Sequence, residues 1–471
     1  MIRRGVVSTL YEGWIGLAVG IAGGLFTLIV ALSGEPLLAP FVPIGIMVGL
    51  AAVVRPVWGA MMLVFFAYPD ALLDKLLFMV PGAPYKLLAL MTMAGLALRA
   101  RDFRTRIEGI FRGPTMVAFV IFATTWAIAI LMAQDRGAAV SWGGDLATTY
   151  ILLPLVAIAL SETRLATIGI WLLAAATLIS GLALMADIVT GQRLLSTSDA
   201  ATTARTAEGF DRSSGASNAN PTTAATMLLT GTIVALVHAI ETPTYRKAFT
   251  LAALIGTLAI LASFARSAML VYGIIAVALW VTYRSHRQAV PIGILGLFGL
   301  MVAVAFMPAS FLDRVLSIFG FGGGDWTLGR RMTYNIIGLD LVWRYPVFGV
   351  GPGNFYEMFT DQDYRYLPGR TLYGRQLHNM YLSIMVEYGL VGFAAFMGVQ
   401  ITALRGLKRL WQTAPPDVAA AAKALFWGML TYLIVSVFVP NEYIKYTWIL
   451  PGLAAALWLS QHRKPGFHGV K

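Results

Sequence analysis

The chain has 471 residues, 58% of them hydrophobic and 12% charged, with a mean hydropathy of +0.73. Soluble domains carry about 25% charged residues, so this composition excludes a soluble fold, which could not hide so much apolar surface. The net charge of +12 would suggest nucleic acid in a soluble protein, but here many Lys and Arg residues sit in short gaps between apolar runs and report topology instead; the absence of cysteine excludes disulfides and thiolate metal sites.

In chain order, apolar runs able to cross a hydrocarbon core, roughly 20 residues for about 30 Å, are expected at 13–33, 38–54, 56–69, 85–99, 113–133, 146–161, 165–188, 220–240, 247–264, 266–283, 289–307, 378–403, 419–439 and 444–460. This predicts an all-α polytopic membrane protein of about 14 transmembrane helices, or about 12 to 13 if the short third and fourth runs are broken or re-entrant. The first run, Gly13 to Leu32, is too long for a signal-peptide h-region and lacks a small-residue cleavage site, so it is expected to remain as an anchor.

With Arg3 and Arg4 on the cytoplasmic side, the inner loops collect Arg55, the cluster Arg99, Arg101, Arg104, Arg106 and Arg112, then Arg164, Arg246, Lys247, Arg284, Arg287, Arg405, Lys408, Arg409, Arg463 and Lys464. Short outer loops carry far fewer. The positive-inside rule therefore favours an even number of spans with both termini cytoplasmic. The chain divides into transmembrane helices at 1–188, an outer loop at 189–219, transmembrane helices at 220–307, a large outer loop at 308–377 and transmembrane helices at 378–471. The large loop holds a Gly-rich stretch, Phe319 to Asp325, an expected amphipathic helix from about Thr327 to Trp343, and a turn at Pro346 to Gly353.

Ionisable residues in mid-span mark ion and proton pathways, because burying a charge there is costly. Few are present: Glu387 is the clearest, with Asp187 and His238 near span ends. Polar residues gather in the outer loops, which argues against a transporter or flippase of lipid-linked sugars and for a site at the outer surface. The outer cations include Arg212, Arg266, Arg314, Arg330, Arg331, Arg344, Arg365, Arg370 and Arg375, with no set of Asp residues at metal-binding spacing beside them. Guanidinium forks grip phosphate oxygens in pairs and stay charged, so this balance suits an anionic ligand, although for any single one of these arginines contact with lipid phosphates or loop carboxylates is the commoner role. Of five histidines, only His378 lies on the outer side, at the junction of the large loop with a span.

The segment HNMYLSIMVEYGLVG, beginning at His378, has His-Asn followed after nine residues by Gly389 and then Gly392. It resembles the signature of the O-antigen ligase superfamily, which includes O-antigen ligases, Wzy-type polysaccharide polymerases and protein O-oligosaccharyltransferases. Three further segments match in the family's order: DRSSGASNANP at Asp211 to Pro221, SFARSA at Ser263 to Ala268, and GRRMTYNIIGLDLVWRYPVFGVGPGN at Gly329 to Asn354. The first departs from the usual Asn-Pro-Asn, and in the last Arg331 is in better register than Arg330.

The resemblance implies a membrane glycosyltransferase of the GT-C type in a bacterial inner membrane, metal-independent, inverting and without a cofactor. Its expected partners are the bilayer, an undecaprenyl-diphosphate-linked glycan donor, a glycan or lipid-linked acceptor, and other polysaccharide export proteins. On this reading His378 is the general base on the periplasmic side, Arg266 and Arg331 clamp the diphosphate, and Arg330, Arg212 and Lys86 add charge. Arg212 could instead hold its loop, and Lys86 could contact lipid. Asn379 is expected to cap its helix, Gly389 and Gly392 to let a neighbouring helix approach, and Glu387, about 13 Å below His378, to hydrogen-bond between helices. Polymerase is favoured slightly over ligase because the span count is high.

Overall fold

A computed structural model of the chain describes residues 41–77, 82–196, 212–287, 326–368 and 374–462, with a few helical residues between 290 and 301. The expected spans at 13–33 and most of 289–307, the Gly-rich stretch 319–325, and Arg205, Arg314 and Arg370 lie outside the described residues. Among the described residues every regular element is helical. They are α1 (Phe41–Val54), α2 (Pro56–Phe65), α3 (Asp70–Leu77), α4 (Ala83–Leu98), α5 (Ala100–Phe111), α6 (Pro114–Leu131), α7 (Arg136–Tyr150), α8 (Leu152–Ala159), α9 (Thr163–Thr190), α10 (Pro221–Glu241), α11 (Arg246–Ala262), α12 (Arg266–Tyr283), α13 (Trp326–Arg344), α14 (Phe355–Met358), α15 (Met380–Thr413), α16 (Pro416–Val435) and α17 (Tyr446–His462).

Eight helices among the described residues are long and apolar enough to cross a membrane, with α7 and α8 counted as one, and a ninth if the bent pair α2–α3 is one span. That pair turns through 119°, where Pro69 cannot continue a helix and Asp70 opens the next one. The run expected at 56–69 is therefore broken. The span expected at 146–161 starts ten residues earlier, at Arg136, because the Asp135 side chain accepts from the Ala138 N–H at 3.0 Å and caps a polar first half that hydropathy does not reveal.

The innermost helix, α10, is buried over nearly its whole length. Its Thr, Ala and Gly residues allow neighbours to come close: a Cβ on Gly231 would lie 2.6 Å from the Leu173 carbonyl oxygen of α9. Helices α9, α11 and α16 pack around it, and α15 lies along α6.

Hydrogen bonds between distant segments sort the loops into two ends. At one end Ala71 N–H donates to Ala216 O, Gln134 N–H to Val350 O, and Met380 N–H to Ser436 O, each at 3.0 Å. Lys445 pairs there with Asp70 at 2.7 Å. At the other end Arg106 pairs with Glu162, Lys423 with Glu241 at 2.7 Å, and Gln461 with Thr163 at 3.0 Å. The loops before α10 and before α15 thus share one end with the turns before α3, α7 and α12.

Candidate functional site

Helix α13 carries one buried face, Thr333, Tyr334, Ile337, Gly338 and Leu341. Tyr334, Ile337 and Leu341 meet Phe355 and Phe359 at the two ends of α14 and Leu377, Leu382 and Val386 around the start of α15. Gly338 is a close contact, since a Cβ there would sit 3.0 to 3.1 Å from the Leu382 and Leu377 side chains. The helix is thereby held against the mouth of α15, and Arg331, three residues before Tyr334, shares its face.

His378 sits at that mouth. Its ring lies nearly parallel to Tyr334, with centroids 6.0 Å apart and 26° between planes, and Tyr334 is itself wedged edge-on against Phe359 at 5.2 Å. Burial, and then the charges of Arg331 and Arg375, lower the His378 imidazole from its ordinary value to about 4. At neutral pH the ring is uncharged and can accept a proton. The side chain of Asn379 accepts from the Tyr381 and Leu382 N–H groups at 3.0 and 3.2 Å, so it is the N-cap of α15.

Ten residues into α15 the helix is interrupted. Gly389 has φ 67° and ψ −175°, and the turn Pro346–Gly353 threads into the gap. Val350 and Gly351 N–H donate to Val386 and Glu387 O at 2.8 and 3.1 Å, and Leu390 N–H donates to Pro346 O at 2.8 Å. A Cβ on Gly389 would lie 2.2 Å from Val347 O, and one on Gly349, which has φ 73°, would lie 2.4 Å from Val386 O. What approaches Gly389 is therefore loop backbone and not a neighbouring helix, as the sequence suggested. The nearest contact of Gly392 is Tyr388 on its own helix, with Thr125 of α6 at 3.8 Å. Glu387 is likewise not a tie between spans: its carboxylate accepts from Gly353 N–H at 3.0 Å and from the Tyr443 hydroxyl at 2.6 Å, both in loops.

Arg212 is buried and donates to Ser263 O at 3.2 Å and to Thr222 Oγ1 at 3.1 Å. It fastens the loop before α10 to the turn that precedes α12. In that turn Phe264 has φ 51°, the one positive value among described non-glycine residues, and such backbone strain tends to gather at functional sites. Arg266 follows as the first residue of α12. A cation there opposes the helix macrodipole, and the guanidinium and the positive end of the helix both favour an anion. Lys86 pairs with Asp145 of α7 at 2.6 Å, both side chains half exposed or more. Arg344 is engaged by Asp340 at 2.8 Å and Asp363 at 3.4 Å, and Arg365 lies over Tyr366. No group of three His, Asp or Glu residues that could hold a metal ion comes together among the described residues.

Sequence reasoning missed two features. Arg375 stood only among the outer cations, although its spacing of three residues from His378 was a usable signal. The part-buried network in which Lys445 meets Asp70, and Asn218 bridges to Asp74 at 2.5 Å, joins residues 375 and 144 positions apart and left no sequence trace.

Residues 251–397 match the family model described as O-antigen ligase. The match begins in α11 and ends within α15, so it contains Arg266, Arg330, Arg331, His378, Asn379, Gly389 and Gly392, while Arg212 and Lys86 precede it. Among curated proteins, none matches the chain.

Proposed function

The chain is a multi-pass membrane protein with an O-antigen ligase superfamily domain, and we propose that it transfers a glycan from undecaprenyl diphosphate to an acceptor hydroxyl on the periplasmic side of a bacterial inner membrane. The acceptor oxygen attacks the anomeric carbon from the face opposite the leaving group, which inverts the centre. The bond from that carbon to the diphosphate oxygen breaks, its electron pair leaves with the diphosphate, and the hydroxyl proton passes to His378 and then to solvent. The products are the new glycosidic bond and undecaprenyl diphosphate.

The observation that carries this reading is an imidazole held neutral at the mouth of α15, beside the face of α13 that bears Arg331. General-base assistance is worth about 10² to 10⁴ in rate. Arg266 and Arg331 clamp the departing diphosphate, with Arg330, Arg375 and Lys86 adding to the field, and such cations contribute about 10³ to 10⁵. Arg212 acts by holding the turn that delivers Arg266. Of the reactions open to this chemistry we favour polysaccharide extension over ligation, on the span count read from the sequence.

Replacing His378 by Ala, expressed at normal level, is expected to abolish transfer; full-length polymer made by that variant would remove the base. In a deletion strain, accumulation of lipid-linked single repeat units identifies a polymerase, and finished lipid-linked polymer a ligase. Unchanged glycans that fail to be exported would instead point to transport.

A further inference from the structure

The break in α15 has a chemical keystone. Glu387 is only 2% exposed, and a buried carboxylate must find donors to remain in place. Its donors are Gly353 N–H, at the far end of the threaded turn, and the Tyr443 hydroxyl between α16 and α17. The same residue's backbone oxygen accepts from Gly351 N–H at 3.1 Å. One residue therefore satisfies two amides of the turn while also binding a third segment.

That turn leaves the end of α13 directly. Its position within the break and the packing of Tyr334, Ile337 and Leu341 on Leu377, Leu382 and Val386 are two attachments of one rigid piece. Closing α15 into a continuous helix would use Val386 and Glu387 carbonyls for helical bonds and expel the turn. Helix α13 would then lose the attachment that sets Arg331 against His378. From this geometry we propose that Glu387 is a positioning residue: its carboxylate latches the Pro346–Gly353 turn into α15 and so fixes the spacing between the arginine-bearing helix and the histidine. The role rests on the transferase reading given above.

The test uses the full-length protein in membranes of the deletion strain, with that strain's own undecaprenyl-diphosphate-linked glycan as donor. Glu387→Ala is expected to raise hydrogen exchange at Val350, Gly351 and Gly353 and to reduce transfer at least tenfold. It should also move the acid limb of the pH profile upward, as His378 loses its burial and its arginine neighbour. Glu387→Gln keeps an acceptor for Gly353 and can donate to the Tyr443 oxygen, so it is expected to restore protection and transfer to within about threefold of wild type. If Glu387→Ala does not accumulate, Glu387→Asp, one methylene too short to reach both donors, takes its place with the same expectation. Loss of transfer in Glu387→Gln with amide protection intact would make the carboxylate's charge the functional element and overturn the latch, as would wild-type exchange in the Ala or Asp variant. Absence of transfer by the wild-type protein would sink the reaction itself, whatever the exchange data show.

Discussion

Replacing Gly389 by Ala tests the interlocked break directly. At φ 67° and ψ −175° the backbone occupies a region essentially reserved for glycine, and an alanine held there costs about 1 to 3 kcal/mol. The added Cβ would also lie 2.2 Å from Val347 O and 2.3 Å from Val347 C. Both are backbone atoms, so no side chain can swing aside. Relief requires expelling the turn, which forfeits the bonds Val350 to Val386, Gly351 to Glu387 and Leu390 to Pro346, about 1 kcal/mol net for each. It also leaves Glu387 without Gly353, a further loss of about 1 to 3 kcal/mol. Either route destabilises the protein by about 3 kcal/mol or more, and the second also removes transfer. The assay is the unfolding free energy in mixed micelles beside polymer synthesis in the deletion strain. Gly398→Ala is the control on the same helix, because its Cβ would rest in ordinary contact with Ala118 at 3.6 Å and helix propensity favours Ala by up to about 1 kcal/mol. A Gly389→Ala protein within about 0.5 kcal/mol of wild type, with normal transfer, would refute the reasoning.

Because the His378 imidazole is held at about 4, kcat/KM should stay flat from about pH 5 to 8 and fall only as the ring protonates below that range. Arg375→Gln removes a charge that disfavours imidazolium and should shift the acid limb upward, toward the ordinary histidine value of about 6.5; a limb already near 6.5 and unmoved by the substitution would contradict the arrangement. Stability carries the matching sign: the unfolded chain takes up a proton from about pH 6.5 while the folded ring waits until about 4, so this site costs stability as pH falls between those values and nothing above them. Lys445→Ala takes the cation from Asp70, whose side chain is 14% exposed, and should cost about 1 to 3 kcal/mol. Asp70 also accepts from Asn218 N–H at 2.9 Å, so the loop before α10 should become the earliest site of protease cleavage; unchanged cleavage would show that the pair does not anchor it.

Much of the architecture was written in local chemistry. Hydropathy located α6, α9 to α12 and α15 to α17 to within a few residues, apart from the ten-residue extension of α15 to Thr413, because a span must be apolar over its own length whatever surrounds it. The amphipathic pattern of α13 and the capping role of Asn379 were equally readable, since a helix face and an N-cap depend on residues three or four apart. The polar start of α7 and the bend between α2 and α3 were less visible, as one cap and one proline override the hydropathy average.

Tertiary structure alone decided what those elements do to one another. Gly389 looked like a packing glycine and proves to be a gap filled by a turn some forty residues earlier. Glu387 acquires its partners from two separate loops, and the shift of the His378 ring arises first from burial and then in part from Arg331, neither of which acts on the ring before the chain folds. Sequence fixes which groups can be charged, apolar or kinked, because those are properties of single residues and their neighbours. Distances between groups far apart in the chain are set when helices pack, and a proton acceptor or an anion clamp exists only once those distances are set.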